Sequence, residues 1–159
     1  MIRRSNKDYD ELHRFYKKAL AQEHKNLVSQ KNIQRLLNEY QKNKWLRYYF
    51  ENNDSKTFIA TDEKNKIIGF LGAKYFDSKD SIIFSISILP SEIRDRLRDE
   101  FLKKLKEEFP IIKDMFIEVY EKNNEEIKFF TSRGFIVWET STAPVGEKVL
   151  NVHLMQKVL

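Results

Sequence analysis

The chain has 159 residues, of which 41% are apolar and 33% are charged, and its net charge is +5. This hydrophobic content is too high for a disordered chain, and the length is typical of one core. We therefore predict one domain over residues 1–159. The absence of cysteine excludes disulfides, thiolate metal sites and a cysteine nucleophile, and three scattered histidines do not predict a metal site.

The sequence has no run near the roughly 18 apolar residues that a membrane span requires. Polar sequence follows the start Met1-Ile2-Arg3-Arg4, where a signal peptide would need an apolar stretch. We expect a cytoplasmic protein without a membrane partner. The positive charge would suit nucleic acid, but the lysines are interleaved with acids, so nucleic acid is not the favoured partner, and an anionic cofactor would benefit equally.

The N-terminal third predicts a short strand at Ile2 to Arg4 and then two amphipathic helices. Asp8 and Glu11 have the spacing of a capping box, and Ser29 precedes the second helix. The two apolar faces are Leu12, Phe15, Tyr16, Ala19 and Leu20, and then Ile33, Leu36, Leu37 and Tyr40. Trp45, Tyr48, Tyr49 and Phe50 follow, and their helical spacing favours core packing over a substrate pocket.

Three strands are predicted next. Thr57 to Thr61 and Ile67 to Phe76 have the pattern of a hairpin, in which Gly69 and Gly72 indicate close backbone approach or a bulge. After a turn at Asp77 to Asp80, the apolar run Ile82 to Leu89 predicts a central strand buried on both faces, ended by Pro90.

The C-terminal half predicts a parallel strand pair and a closing hairpin. Ser91 can cap a helix that ends at Pro110, and a buried strand follows at Met115 to Tyr120, parallel to the preceding strand. A short helix from about Asn123 to Ser132 stops at Gly134, and the last strands are Phe135 to Thr140 and Val149 to Met155. The predicted class is α+β, with helices on the faces of a mixed, mostly antiparallel sheet.

This order of elements resembles the GNAT superfamily of N-acetyltransferases over nearly the whole chain. The strongest local pattern is Val119, Asn123, Ile127, Phe129, Phe130, Gly134 and Phe135, similar to the family's strand, helix face and closing Gly-Phe. Ile86, Ile88 and Pro90 before a long helix with Phe101 and Leu102 form the second, and Ile67 to Gly72 also fits the family's third strand. The resemblance implies a central pair of parallel strands that splay apart around acyl-CoA.

The resemblance also implies cofactor-binding positions. Backbone groups at Ile86, Ile88 and Leu89 would hold the pantetheine, and Asn123 and Phe130 would lie beside the cofactor. The family's glycine-containing pyrophosphate loop is altered, because Arg96 and Arg98 occupy its small-residue positions with Leu97 between them.

Two interpretations of these arginines remain open. Arg94, Arg96 and Arg98 could bind the phosphates through their guanidinium groups. Alternatively they form a solvated face, in which Glu92 pairs with Arg96, Arg96 with Glu100, and Asp95 with Arg98.

The catalytic positions differ from the family pattern as well. Phe130 stands where the family often has the tyrosine that protonates the leaving thiolate, and Tyr120 could supply a hydroxyl instead. Asp80 and Glu118 are the nearest carboxylates for a general base, with Glu118 favoured. His153 is interpreted as a hydrogen-bonded packing residue rather than a base.

We therefore expect an acyl-CoA-dependent N-acetyltransferase, with acetyl-CoA as cosubstrate and no metal, that acts on a primary amine by direct attack in a ternary complex. The alternative is a catalytically impaired GNAT-fold protein that serves as a ligand-binding or protein-interaction module. Acceptor specificity is expected from the first two helices, the loop after Tyr40 and the segment Thr142 to Gly146. The last strand, Val149 to Met155, is predicted to be exposed and able to pair in a homodimer.

Overall fold

The structure, a computed structural model, describes residues 1–5, 9–51, 53–76 and 80–159. The described residues form twelve elements. The strands are β1 (Ile2–Arg4), β2 (Ser55–Thr61), β3 (Ile67–Phe76), β4 (Ser81–Ile88), β5 (Asp114–Tyr120), β6 (Ile136–Val145) and β7 (Lys148–Val158). The helices are α1 (Tyr9–His24), α2 (Gln30–Glu39), α3 (Lys42–Tyr49), α4 (Arg94–Glu108) and α5 (Asn124–Ser132). The predicted α+β class is confirmed.

One mixed sheet has the order β1-β2-β3-β4-β5-β7-β6. Its described pairs are antiparallel except β4 with β5, which confirms the predicted parallel pair. The larger core cluster lies between the sheet and the helices α4 and α5, and it includes Phe101, Leu105 and Phe129. A second cluster packs α1 and α3 on the opposite face, so helices cover both faces as predicted.

The aromatic segment after Tyr40 forms α3, a third helix before β2 that the sequence analysis did not separate. Trp45 and Tyr49 are buried, which confirms the core interpretation for these two, whereas Tyr48 is half exposed. Tyr49 packs over Gly72 of β3, where a Cβ would collide with the tyrosine ring. The predicted close approach at Gly72 is therefore confirmed.

Two local predictions about helix ends had different outcomes. Ser29 caps α2 by accepting a hydrogen bond from the Asn32 amide. Ser91 does not cap α4, because the helix begins only at Arg94 and its N-cap residue is Ile93, which has no side-chain cap bond. The predicted capping residue Asp8 lies outside the described residues, as does most of the Asp77 to Asp80 turn.

The prediction that the last strand is exposed was wrong. β7 lies between β5 and β6, so its backbone is paired on both sides, and β6 is the edge of the sheet. Thr142 to Val145 belong to this edge strand, and only Gly146 and Glu147 form the turn. The turn contacts α2, because the Glu147 amide donates to Asn32 Oδ1 at 2.9 Å.

Candidate active site

The strands β4 and β5 are paired over only part of their length. Parallel partners run from Ser81 with Asp114 to Phe84 with Ile117. Beyond this point β4 continues beside β3 and β5 continues beside β7, without pairing to each other. The facing edges therefore leave backbone donors and acceptors free of a strand partner, which a ligand can use.

A cavity of about 410 Å³ lies at this separation. Its walls come from the C-terminal half of α1, the end of β4, the first turns of α4 and the segment that opens α5. The lining residues are Ala19, Gln22, Glu23, Asn26, Leu27, Ile86, Ser87, Ile88, Pro90, Arg94, Arg98, Lys122, Asn123, Asn124, Glu125 and Glu126. Ile86, Ile88, Arg94, Arg98 and Asn123 among the sequence-predicted site residues therefore share one cavity.

Two arginines and one carboxylate form an ion-pair network on its wall. Arg98 Nη1 lies 2.8 Å from Glu125 Oε1 and 3.0 Å from Asp95 Oδ1. Arg94 Nη1 lies 3.3 Å from Glu125 Oε2, and its Nη2 donates to the Ile88 carbonyl. Arg98 is buried, and its guanidinium lies 5.0 Å from the centre of the Phe129 ring. Within the described residues, the buried Arg94 Nε has no hydrogen-bond partner.

The two interpretations of the arginine cluster each apply to part of it. Arg96 points away from the cavity, is exposed, and pairs with Glu100 at 3.8 Å, as the solvated-face interpretation predicts. The Asp95–Arg98 pair of that interpretation also forms. Arg94 and Arg98 nevertheless face the cavity, where guanidinium groups could bind an anion.

Other predicted cofactor residues lie outside this lining. Leu97 and Phe130 are buried in the core, with Phe130 packed 5.2 Å from the Phe135 ring. Leu89 packs against the aromatic cluster under α1 and α3. The side chains of these three residues therefore take part in core packing, which leaves only backbone groups, such as those predicted at Leu89, for contact with a cofactor.

A pair of glutamates faces the arginines from the other walls. Asn123 caps α5 by accepting from the Glu126 amide and donates 2.8 Å to Glu126 Oε2. Burial raises the pKa of Glu126, and the charge of Glu23 raises it further, while Arg98 opposes both effects. Glu23 is exposed to solvent, whereas Glu126 is buried, so we place the proton that this pair of carboxylates retains on Glu126.

Glu118 and Tyr120 point to the opposite face of the sheet from the α4 and α5 core. Met115, Ile117 and Val119 belong to that core, and side chains alternate along a strand. Tyr120 Oη lies 2.7 Å from His24 Nε2 of α1, and the charge of Glu118 acts on Tyr120. The structure therefore places these two candidates on the same face of β5 as α1, and neither of them is among the residues that line the cavity.

The prediction for Asp80 was wrong. Asp80 lies before β4, at the end remote from the cavity and roughly 20 Å along the strand from Ile86. Its carboxylate is exposed and lies 3.6 Å from Lys113 Nζ. Asp80 therefore cannot reach a reaction at the strand separation.

His153 hydrogen-bonds Thr140 at 2.9 Å, in agreement with the packing interpretation.

Sequence reasoning missed three titratable residues of this region: Glu23, His24 and Glu126. A signal existed for two of them. His24 continues the apolar face of α1 at a spacing of four from Leu20, and Glu126 stands three residues after its cap, Asn123. No pattern distinguished Glu23 from the other exposed acids.

The chain belongs to the acetyltransferase (GNAT) family, whose model matches residues 9–135. This match covers the cavity and both strands of the separation. No curated protein matches the sequence closely enough to be called a relative.

Solved structures of N-acetyltransferases have the same fold. PaiA N-acetyltransferase from Thermoplasma acidophilum, in complex with coenzyme A, gives a TM-score of 0.79 at 18% identity, covering 100% of this chain and 98% of that chain. A variant of spermidine N-acetyltransferase SpeG from Vibrio cholerae gives 0.69 at 16% identity, covering 99% and 94%. Ribosomal-protein-alanine N-acetyltransferase from Brucella melitensis gives 0.67 at 18% identity, covering 100% and 99%.

Among the described residues, none of the helices is long and apolar enough to cross a membrane. No three histidine or carboxylate side chains in the described ranges are grouped closely enough to hold a metal ion.

Proposed function

We propose that this protein is an acetyl-CoA-dependent N-acetyltransferase that acetylates a primary amine by direct attack in a ternary complex. The observation that carries the proposal is the 410 Å³ cavity at the separation of β4 and β5, with Arg94 and Arg98 on one wall. The pantetheine arm of acetyl-CoA can hydrogen-bond the unpaired edge of β4, and its phosphates can bind the two guanidinium groups. The coenzyme A complex of the Thermoplasma acidophilum structure supports this choice of cosubstrate.

The chain's own groups would mainly position the reactants. Backbone donors and acceptors at Ile86 to Ile88 would align the thioester and stabilise the oxyanion that forms as the amine attacks. Arg94 and Arg98 would exchange part of their contact with Glu125 for phosphate oxygens. Among the predicted carboxylates we favour Glu118 as the base that takes a proton from the ammonium form of the amine before attack, since Asp80 lies at the far end of β4.

We also propose one domain over residues 1–159, acting in the cytoplasm, where acetyl-CoA and amines are both available. The acceptor would approach from the α1 and α2 side. The turn at Gly146 and Glu147 contacts α2, which supports the expectation that these segments choose the acceptor.

Two observations favour a second function. Arg94 and Arg98 already have a carboxylate partner in Glu125, and Phe130 is a core residue that cannot donate a proton. A binding module that has lost catalysis would show the same features.

Acetyl transfer distinguishes the two functions. Purified protein would be incubated with acetyl-CoA and a panel of primary amines, and release of free thiol would be followed together with the mass of each acceptor. Thiol release matched by acetylated amine supports the transferase. Binding of acetyl-CoA without transfer to any amine would instead support the binding module.

A further inference from the structure

We propose that Tyr120 and His24 form a proton-transfer pair, in which Tyr120 contacts the reacting nitrogen and His24 acts through Tyr120. This inference rests on the proposed function, because it assigns the proton path of amine acetylation. It also adds a residue of α1, a helix on the opposite face of the sheet from α4 and α5.

The hydrogen bonds of His24 fix its tautomer. His24 Nδ1 lies 2.7 Å from the Leu20 carbonyl oxygen, which can only accept a hydrogen bond, so Nδ1 carries the proton. Nε2 of the neutral ring therefore has a free lone pair. Tyr120 Oη lies 2.7 Å from Nε2 and must be the donor. The tyrosine proton is thus directed at a base.

Both residues of the pair are close in sequence to residues that line the cavity. Tyr120 is the last residue of β5, beyond the point where β4 and β5 separate, and Lys122 follows in the lining. Glu23, adjacent to His24, is in the lining too. Tyr120 is partly buried, whereas His24 is 1% exposed and can act only through a neighbour.

The surroundings of the pair keep both groups uncharged before reaction. Burial lowers the pKa of His24, because an imidazolium loses hydration there, so His24 is a free base at neutral pH. Burial raises the pKa of Tyr120, and so do the charge of Glu23 on α1 and the neighbouring Tyr40, Glu118 and Glu126. Because its pKa is raised, Tyr120 does not ionise on its own. It must therefore give its proton to His24 at the same time as it receives one from the amine.

The pair can take up the proton that the amine loses during attack and then supply the proton that the thiolate gains. As the amine nitrogen bonds to the thioester carbon, its proton moves to Tyr120 Oη and the phenol proton moves to His24 Nε2. When the carbon–sulfur bond breaks, the imidazolium returns its proton through Tyr120 to the departing thiolate. Nitrogen and sulfur are bonded to the same carbon in the tetrahedral intermediate, so one hydroxyl can serve both atoms. The products are the amide and coenzyme A thiol.

A structural role for this hydrogen bond is the competing explanation, since the bond also ties the end of α1 to β5. The test uses His24→Gln, which keeps a polar side chain but cannot be protonated, and Tyr120→Phe, which removes only the hydroxyl. His13→Gln is the matched control, because His13 is on the same helix and bonds the Tyr40 carbonyl. Rates would be measured across pH with acetyl-CoA and the best amine, and acetyl-CoA affinity by calorimetry.

The pair predicts a fall in kcat of roughly 10²- to 10⁴-fold in His24→Gln and Tyr120→Phe, with acetyl-CoA affinity unchanged. In the unmodified protein the rate should decline more steeply at acidic pH as His24 becomes protonated, beyond the decline caused by protonation of the amine, and this additional decline should be absent in His24→Gln. His13→Gln should keep both rate and profile. Nitrogen NMR of the His24 ring, an acceptor-independent measurement, should show a protonated Nδ1 and a bare Nε2 at neutral pH.

Each contrary result is distinguishable. Rates within threefold in both variants, or a ring protonated at Nε2, would overturn the pair while leaving the transferase intact. A protein that acetylates no amine in any form would overturn the proposed function and the pair together.

Discussion

Arg94 and Arg96 are two residues apart on α4 but have different surroundings. Arg94 lies at the cavity against Glu125, whereas Arg96 is exposed beside Glu100. We predict that Arg94→Gln weakens acetyl-CoA binding roughly 10- to 100-fold, because a hydrogen bond to a charged group contributes about 1.5–3 kcal/mol. Arg96→Gln is the matched control and should change the affinity less than threefold. Calorimetric titration of each variant measures both effects.

A third variant tests the same account in the opposite direction. Glu125→Gln removes the charge that competes for Arg94 and Arg98, so acetyl-CoA should bind more tightly, not more weakly. Equal losses of acetyl-CoA affinity in Arg94→Gln and Arg96→Gln would contradict this account, because they would show that only the net charge of the protein affects binding.

Glu126 makes stability depend on pH. Its pKa is raised from 4.5, mainly by burial and then by the charge of Glu23, so the folded protein retains a proton that the unfolded chain releases. The stabilising contribution of the protonated form is complete below pH 4.5 and is lost as pH rises through the folded value. We predict that the free energy of unfolding falls between about pH 5 and pH 9, and that Glu126→Gln reduces this fall.

Denaturant unfolding of both proteins at several pH values would measure this difference. Glu125→Gln is a suitable comparison, because the Arg98 guanidinium lowers the pKa of Glu125 and its contribution has the opposite sign. An identical pH dependence in Glu126→Gln and the unmodified protein would contradict the assignment.

At the scale of elements, α3 is held against β3 by the contact of Tyr49 with Gly72. Tyr49 Oη also lies 3.1 Å from Ser85 Oγ of β4, so this helix touches the strand that lines the cavity. We predict that Gly72→Ala lowers the free energy of unfolding by about 1–3 kcal/mol, because the added methyl collides with the tyrosine ring. Chemical denaturation measures it, and a variant as stable as the unmodified protein would contradict the contact.

The strands and helices could be predicted wherever local periodicity determines them. The strand that contains Ile82, the helix α4 that ends before Pro110 and the start of α5 near Asn123 are such cases. The starting residue of α4 was missed because Ser91 has a capping side chain but forms no cap there. The position of β7 was missed because strand order depends on long-range pairing, and an alternating strand has the same pattern at an edge or inside a sheet.

At the scale of the molecule, the sequence identified the family and the strand pair, but only part of the site. Ile86, Ile88, Arg94, Arg98 and Asn123 converge on one cavity, since they flank the strand separation. Asp80 was placed wrongly because proximity along the chain to β4 says nothing about which end of the strand is used. The bond between His24 and Tyr120 joins residues 96 positions apart, and no local pattern indicates such a contact.

The central claim is that the cavity between β4 and β5 binds acetyl-CoA, and calorimetric titration of the unmodified protein with acetyl-CoA tests it most directly. ATP would be titrated as a ligand with phosphates but no pantetheine arm. The account predicts micromolar binding of acetyl-CoA, far tighter than that of ATP, because the arm bonds the free edge of β4. Absence of acetyl-CoA binding, or equal binding of ATP, would contradict it.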